Sequence, residues 1–297
     1  MGQFLDALLT IDTAIALGLM AALGIVLASV LAIANRYLYV WEDPRIDTID
    51  ELLPHANCGA CGEPGCRIFA EKLVAGTVEP AQCTVNSKDG NATIASMLGV
   101  ELGACEQRVA RLACAGGRHV ARMRAAYAGL KSCRAAAVVA GGGKGCSWGC
   151  LGLADCAEVC SFNAITMNAF GLPVVDENLC TACGDCVDVC PKNLFELHGV
   201  SHRLWVACKN EQFGEAAEAE CEVACTACER CVVDSAPGLI HIRHNLAAID
   251  YAKNDAPSKV SIQRCPTGAI VWLEPQGRVE RGPKAKPILR KDALPIG

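Results

Sequence analysis

Residues 179–193 read LCTACGDCVDVCPKN, and within them Cys180-x2-Cys183-x2-Cys186-x3-Cys190-Pro191 sets three thiols on one short loop and a fourth in the turn that follows. This is the spacing of a bacterial ferredoxin run, in which three cysteines hold one [4Fe–4S] cluster and the fourth ligates its neighbour. A second run must therefore exist, and it lies upstream in looser form: Cys146-x3-Cys150-x5-Cys156-x3-Cys160. The crossover assigns Cys146, Cys150, Cys156 and Cys190 to one cluster, and Cys160, Cys180, Cys183 and Cys186 to the other. Each run leads through an apolar turn into a strand, SFNAITM and PKNLFEL. Ser161 stands where the second run has Pro191, which alters the turn and not the ligand count. Zinc ribbons fit poorly, because x2-x2-x3 crowds three thiolates on one loop and sends the fourth elsewhere.

Downstream, Cys225-x2-Cys228-x2-Cys231 starts a third run, yet Ser235 occupies its fourth position. Its matching half keeps only the closing Cys265-Pro266; counting back gives Ser261, Ser258 and Asp255. Because the fourth cysteine crosses over, these four losses fall on a single cluster. Cys225, Cys228, Cys231 and Cys265 remain a complete set, so a one-cluster ferredoxin-like domain is expected.

Upstream, NCGACGEPGC and a later cysteine give Cys58-x2-Cys61-x4-Cys66-x16-Cys83. Gly59, Gly62 and Gly65 let the backbone fold around the sulfurs and turn amides toward an anionic cluster. A four-cysteine zinc site would use the same ligands, but the surrounding cluster-type runs favour [4Fe–4S]. Four clusters are thus expected. Of the 21 cysteines, Cys105, Cys114, Cys133, Cys208 and Cys221 stand outside the scheme. They read as buried thiols behaving as small hydrophobes, with Cys208 and Cys221 close enough to the third run to be auxiliary ligands or a redox pair.

Tight CxxC runs in a chain of 297 residues are not the pattern of a short secreted disulfide scaffold. A net charge of −5 and 5% aromatic content exclude a basic, aromatic-rich nucleic-acid footprint. Gly141-Gly142-Gly143-Lys144-Gly145 lacks the Ser or Thr of a phosphate loop, and no G-x-G-x-x-G fingerprint is present, so flavin or nicotinamide is expected on a partner. The six histidines show no ligand pairing. No catalytic residue is assigned.

Thr13–Asn35 is an uncharged stretch dominated by Ala, Leu, Ile and Val, long enough to cross roughly 30 Å of hydrocarbon. Asp6 and Asp12 precede it, and the aromatic residues Tyr37, Tyr39 and Trp41 follow it, unlike the basic start and small-residue exit of a signal peptide. Arg36 and Arg45 place the following body in the cytoplasm by the positive-inside bias. The expected location is the inner (cytoplasmic) membrane, single-pass, with the reducing side around the thiolates.

The expected fold class is α+β: one N-terminal transmembrane helix, a four-Cys [4Fe–4S] module, then tandem bacterial-ferredoxin-like domains. The expected boundaries are an anchor at 1–40, the four-Cys module at 41–90, a connecting module at 91–140, a two-cluster domain at 141–200, a degenerate one-cluster domain at 201–275, and a basic Pro-containing tail at 276–297. That tail carries Arg278, Arg281, Lys284, Lys286, Arg290 and Lys291.

In this order, with GCSWGCLGLADCAEVC ahead of the ferredoxin run, the chain resembles the B component of Rnf-type ion-translocating oxidoreductase complexes and of the related SoxR-reducing complexes across nearly its whole length. It departs from the multi-cluster versions in the erased half of its third repeat. The resemblance implies an electron route from soluble ferredoxin through this component to membrane partners and a flavin- and NAD-binding subunit, coupled to Na+ or H+ movement. Two alternatives remain: an iron–sulfur component of a hydrogenase or formate-linked membrane enzyme, told apart by co-purifying proteins, and a cluster-based redox sensor, told apart by loss of a partner on oxidation.

Overall fold

A computed structural model describes residues 2–38, 41–253, 258–275, 278–290, 292 and 294, with side chains from Thr13 onward. Tyr39, Asp255, Lys291 and the side chains of Asp6 and Asp12 lie outside the described residues. The chain forms two compact units, Met1–Ile49 and Asp50–Gly297.

The first unit is dominated by α1 (Gly2–Leu38). Its segment Thr13–Leu38 has a mean hydropathy of 2.5 and none of its hydropathy window is buried against protein. A helix apolar on every side, with side chains such as Leu17, Met20 and Leu31 outward, has no protein core to satisfy it. Ser29 Oγ donates to the Ile25 carbonyl at 2.7 Å, so its hydroxyl is paired within the helix, as a bilayer requires. Helix α2 (Pro44–Leu52) follows, opened by a proline that fits the first helical turn.

In the second unit, α3 (Cys66–Val74) and α4 (Lys88–Leu98) frame the four-cysteine module. Ser87 caps α4 by accepting from the Gly90 N–H at 2.9 Å, and Gly99 closes it with φ +64°, a left-handed conformation that favours glycine. Two ferredoxin-like folds come next, built on the same plan. In the earlier one, β1 (Arg108–Leu112) pairs antiparallel with β4 (Phe195–Gly199), while β2 (Ile165–Met167) and β3 (Pro173–Val175) form a hairpin. In the later one, β5 (Leu204–Val206) pairs with β8 (Ile270–Leu273), and β6 (Ile240–Arg243) with β7 (Leu246–Ile249). Strand β9 (Val279–Arg281), drawn from the C-terminal tail, adds to β8. Short helices α5 (Cys133–Val138), α6 (Asp155–Glu158) and α7 (Asp185–Val189) serve the earlier fold, and α8 (Gly214–Glu220), α9 (Arg230–Val233) and α10 (Val260–Gln263) the later.

The first strand of the earlier ferredoxin-like fold thus comes from the segment expected to be a connector. Its disguise is Arg111, which is buried inside the strand. The guanidinium is tolerated there because Glu177 meets it at 2.5 Å, with both side chains about nine-tenths buried. The cores lie between sheets and short helices, and cysteines form part of them: Cys156 and Cys186 pack with Ala110, Ile165 and Phe195.

Candidate metal centres

Cys58, Cys61, Cys66 and Cys83 line one small cavity. The loop reaches this shape through left-handed backbone at Gly59 (φ +70°) and Gly62 (φ +88°), which alternates the direction of successive amides. Asn57 Oδ1 accepts from the Cys66 N–H at 2.9 Å and ties the loop's entrance to its exit. Cys83 arrives on the turn after Pro80, and the buried Asn91 of α4 donates to its carbonyl at 2.9 Å. The four cysteines expected for this module are therefore brought together.

The three ferredoxin loops share one backbone. Left-handed residues recur at the same two positions of each: Gly152 and Ala154, Ala182 and Gly184, Ala227 and Glu229. A further one follows each closing position, at Asn163, Asn193 and Gly268. A non-glycine residue in this region costs roughly 1–2 kcal/mol, and its repetition marks a backbone imposed by the site rather than by local propensity. Cys160, Cys180, Cys183 and Cys186 line a small cavity. Strand β1 supplies the Ala110 N–H to Cys180 Sγ at 3.4 Å. Burial, and then its neighbours Cys180, Cys183 and Cys160, push the Cys186 thiol up to about 12.

Of the expected set Cys146, Cys150, Cys156 and Cys190, Cys146 lines a different cavity, with Cys114, Cys208 and Cys221. The neighbours of Cys156 are Cys133 and Cys190, followed by Cys186, and its thiol is pushed up to about 12 by burial and then by these groups. Cys150 in turn neighbours Cys156. Cys133, from the first turn of α5, receives backbone N–H groups of Asp155 and Leu153 at its sulfur. Asp155 holds that helix in place, accepting from the Cys133 N–H at 2.8 Å and from Ser132 Oγ at 3.0 Å. Leu153 stands where the other runs have Cys183 and Cys228, and Cys133 is the thiol found beside Cys156 instead. Cys146 instead neighbours Cys114.

Cys225, Cys228, Cys231 and Cys265 line a small cavity, closing the long interval before Cys265. At the erased position, Ser235 Oγ donates to the Cys231 carbonyl at 2.5 Å and is hydrogen-bonded to Ser261 Oγ at 2.8 Å, from which it accepts. The two serines that stand at ligand positions are joined to each other across α9 and α10.

Four thiolates on one zinc ion at about 2.3 Å would stand about 3.8 Å apart. Among the described residues, no three Cys, His, Asp or Glu side chains group closely enough to hold a single metal ion. Quartets of thiols set around a shared cavity, rather than around one point, fit a cubane, whose four irons each take one thiolate. Cys105 is exposed and belongs to no quartet. His198 sits against His202, Trp205 and Tyr251 as an aromatic packing group, and not among the thiols.

Comparison with known proteins agrees with this chemistry. An Fe-S cluster family model matches residues 53–85, and a 4Fe-4S binding domain model matches residues 172–197. The B component of the Na(+)-translocating ferredoxin:NAD(+) oxidoreductase complex of Acetobacterium woodii is 36% identical over 89% of this chain and 78% of its own length. The B component of the ion-translocating oxidoreductase complex of Methanosarcina acetivorans is 33% identical over 89% of this chain and 96% of its own. The chain belongs to the RnfB family. A third member, the B component of the proton-translocating ferredoxin:NAD(+) oxidoreductase complex of Clostridium ljungdahlii, is 34% identical over 84% of this chain and 89% of its own length. As an RnfB-family protein, the chain is an electron-transfer component of a multi-subunit complex, binds iron–sulfur clusters, and carries one N-terminal helix long and apolar enough to cross a membrane.

Proposed function

We propose that this RnfB-family chain carries electrons from soluble ferredoxin toward the membrane and flavin/NAD-binding subunits of its complex, within a chain of carriers that couples ferredoxin:NAD+ oxidoreduction to Na+ or H+ movement. Four sets of thiols hold its [4Fe–4S] clusters: Cys58/Cys61/Cys66/Cys83, Cys133/Cys150/Cys156/Cys190, Cys160/Cys180/Cys183/Cys186 and Cys225/Cys228/Cys231/Cys265. When bound, such clusters supply one-electron chemistry within about −700 to +450 mV, set by hydrogen bonds to sulfur and by exposure. The protein supplies position and electrostatics. The Ala110 N–H on Cys180 Sγ and the Leu194 N–H on Cys190 Sγ at 3.5 Å stabilise negative charge on sulfur and so favour the reduced form. The cluster-bearing unit faces the cytoplasm, following the Arg36 and Arg45 bias after α1.

One observation carries the route. Thr84, next to Cys83, donates its hydroxyl to the Thr181 carbonyl at 3.2 Å, beside Cys180 and Cys183. The four-cysteine module is therefore docked on a ferredoxin loop, which supports entry of electrons at the ferredoxin-like folds and exit by the module nearest the anchor in sequence. Cys58→Ser is expected to stop ferredoxin-dependent reduction of membrane partners while the ferredoxin-like folds still bleach with reduced ferredoxin. Unchanged turnover would sink the route.

A further inference from the structure

Of the five cysteines that remain after the four quartets are filled, Cys114, Cys146, Cys208 and Cys221 line a single cavity. Three of the quartets line cavities in the same way, four thiols to each. Cys146, Cys208 and Cys221 are buried and Cys114 is half-buried.

The four are placed by a repeat of the fold. Each ferredoxin-like fold gives one cysteine two residues beyond its first strand: Cys114 after β1 ending at Leu112, and Cys208 after β5 ending at Val206. Each gives another by the same spacing before its cluster run, in Cys146-x3-Cys150 and Cys221-x3-Cys225. The backbone follows suit. Ala113 N–H donates to the Leu194 carbonyl and Ala207 N–H to the Ala269 carbonyl, both at 2.8 Å, and Ala115 N–H crosses to the Ala207 carbonyl at 2.9 Å. Even the sulfur contacts repeat: the Cys150 N–H donates to Cys114 Sγ at 3.4 Å, and the Cys225 N–H to Cys208 Sγ at 3.3 Å. Two halves, one from each fold, thus face one another around a shared space.

We propose that Cys114, Cys146, Cys208 and Cys221 hold a fifth [4Fe–4S] cluster at the junction of the two ferredoxin-like folds. Lys144 lines the same cavity, its ammonium fixed by the Gly116 and Cys150 carbonyls at 2.6 Å each, and places a positive charge beside an anionic thiolate cluster. The inference rests on the iron–sulfur reading of the other quartets. It also completes their order. Cys150 belongs to one flanking quartet and Cys225 to the other, so hydrogen bonds through Cys114 and Cys208 tie the new site to both. An electron passing here oxidises one neighbouring cluster by one unit and reduces the next by one, with no bond or proton exchanged.

The test is a cluster count on the full chain, purified anaerobically in detergent, by native mass spectrometry with iron, sulfide and zinc analysis. Five clusters and about twenty iron atoms per chain are expected, four per cubane. Cys114→Ser combined with Cys208→Ser is expected to remove one cluster and about four iron atoms, whereas Cys105→Ser removes none. The wild-type count stands even if the double variant does not fold. Four clusters with about sixteen iron, or four clusters plus one zinc, would overturn the fifth site and leave the proposed function intact. A chain nearly free of iron would sink both.

Discussion

At the residue scale, the ligand on which sequence spacing and structure differ is the most informative. Cys146-x3-Cys150 stands in the place of a run's opening, and nothing in spacing alone points to the Cys133 thiol of α5 in place of Leu153. A signal was nevertheless present: aligning the run on Cys225-x2-Cys228-x2-Cys231 puts Leu153 under Cys228 and leaves Cys146 matched to Cys221. Cys133→Ser is expected to lose or convert one cluster, seen as about four fewer iron atoms or a three-iron EPR signal. Adding Leu153→Cys should restore it, because that position lies in the loop whose amides now reach Cys133 Sγ. Failure of the double variant to regain the cluster would refute the exchange of roles. Glu177 carries a second prediction. It balances the buried Arg111 and, at 3.9 Å, Arg203, so Glu177→Ala strands a buried cation at a cost of about 3–5 kcal/mol. Anaerobic melts followed by visible absorbance should show a midpoint lower by on the order of 10 °C. Replacing Arg111 and Glu177 together by Met should cost less than Glu177→Ala alone.

At the scale of elements, the runs and the strands that follow them were readable because tight cysteine spacing and apolar turns are local signals. Strand β1 was not, since a strand carrying Arg at an inward position breaks the alternation by which strands are recognised. Its role depends on pairing with β4, whose residues lie far away in sequence. The tail contributed β9 for a different reason: its partner Val271–Leu273 is next in sequence and forms a hairpin with it, but the basic, proline-containing composition of the tail carries no strand alternation to mark it. The erased third repeat was readable from its crossover logic, and the Ser235–Ser261 hydrogen bond gives it a test. Ser235→Cys alone should add no iron, because Ser258 and Ser261 remain and no quartet of thiols results. It should instead cost about 1 kcal/mol through the lost hydroxyl pairing. A gain of about four iron atoms, the content of one cubane, would contradict the reading of a site lost on all sides.

At the scale of the molecule, the cysteines form a sequence of neighbours rather than scattered clusters. Cys83 and Thr84 adjoin the loop of Cys180 and Cys183, Cys186 adjoins Cys156, Cys150 adjoins Cys114, and Cys208 adjoins Cys225. Two copies of one ferredoxin-like plan, with a smaller module docked on the earlier of them, produce this line; α1 is the helix long and apolar enough to anchor the chain in a bilayer. Because Thr13–Leu38 meets no protein core, carbonate extraction should leave the full chain in the membrane pellet, and release into the supernatant would contradict the anchor. The line itself is tested most directly by low-temperature EPR of the dithionite-reduced full chain. Clusters set in a row of neighbours should give broad signals split by coupling between reduced centres, with iron and sulfide in equal amounts. Sharp, independent signals, or a chain rich in zinc and poor in iron, would contradict the line of clusters.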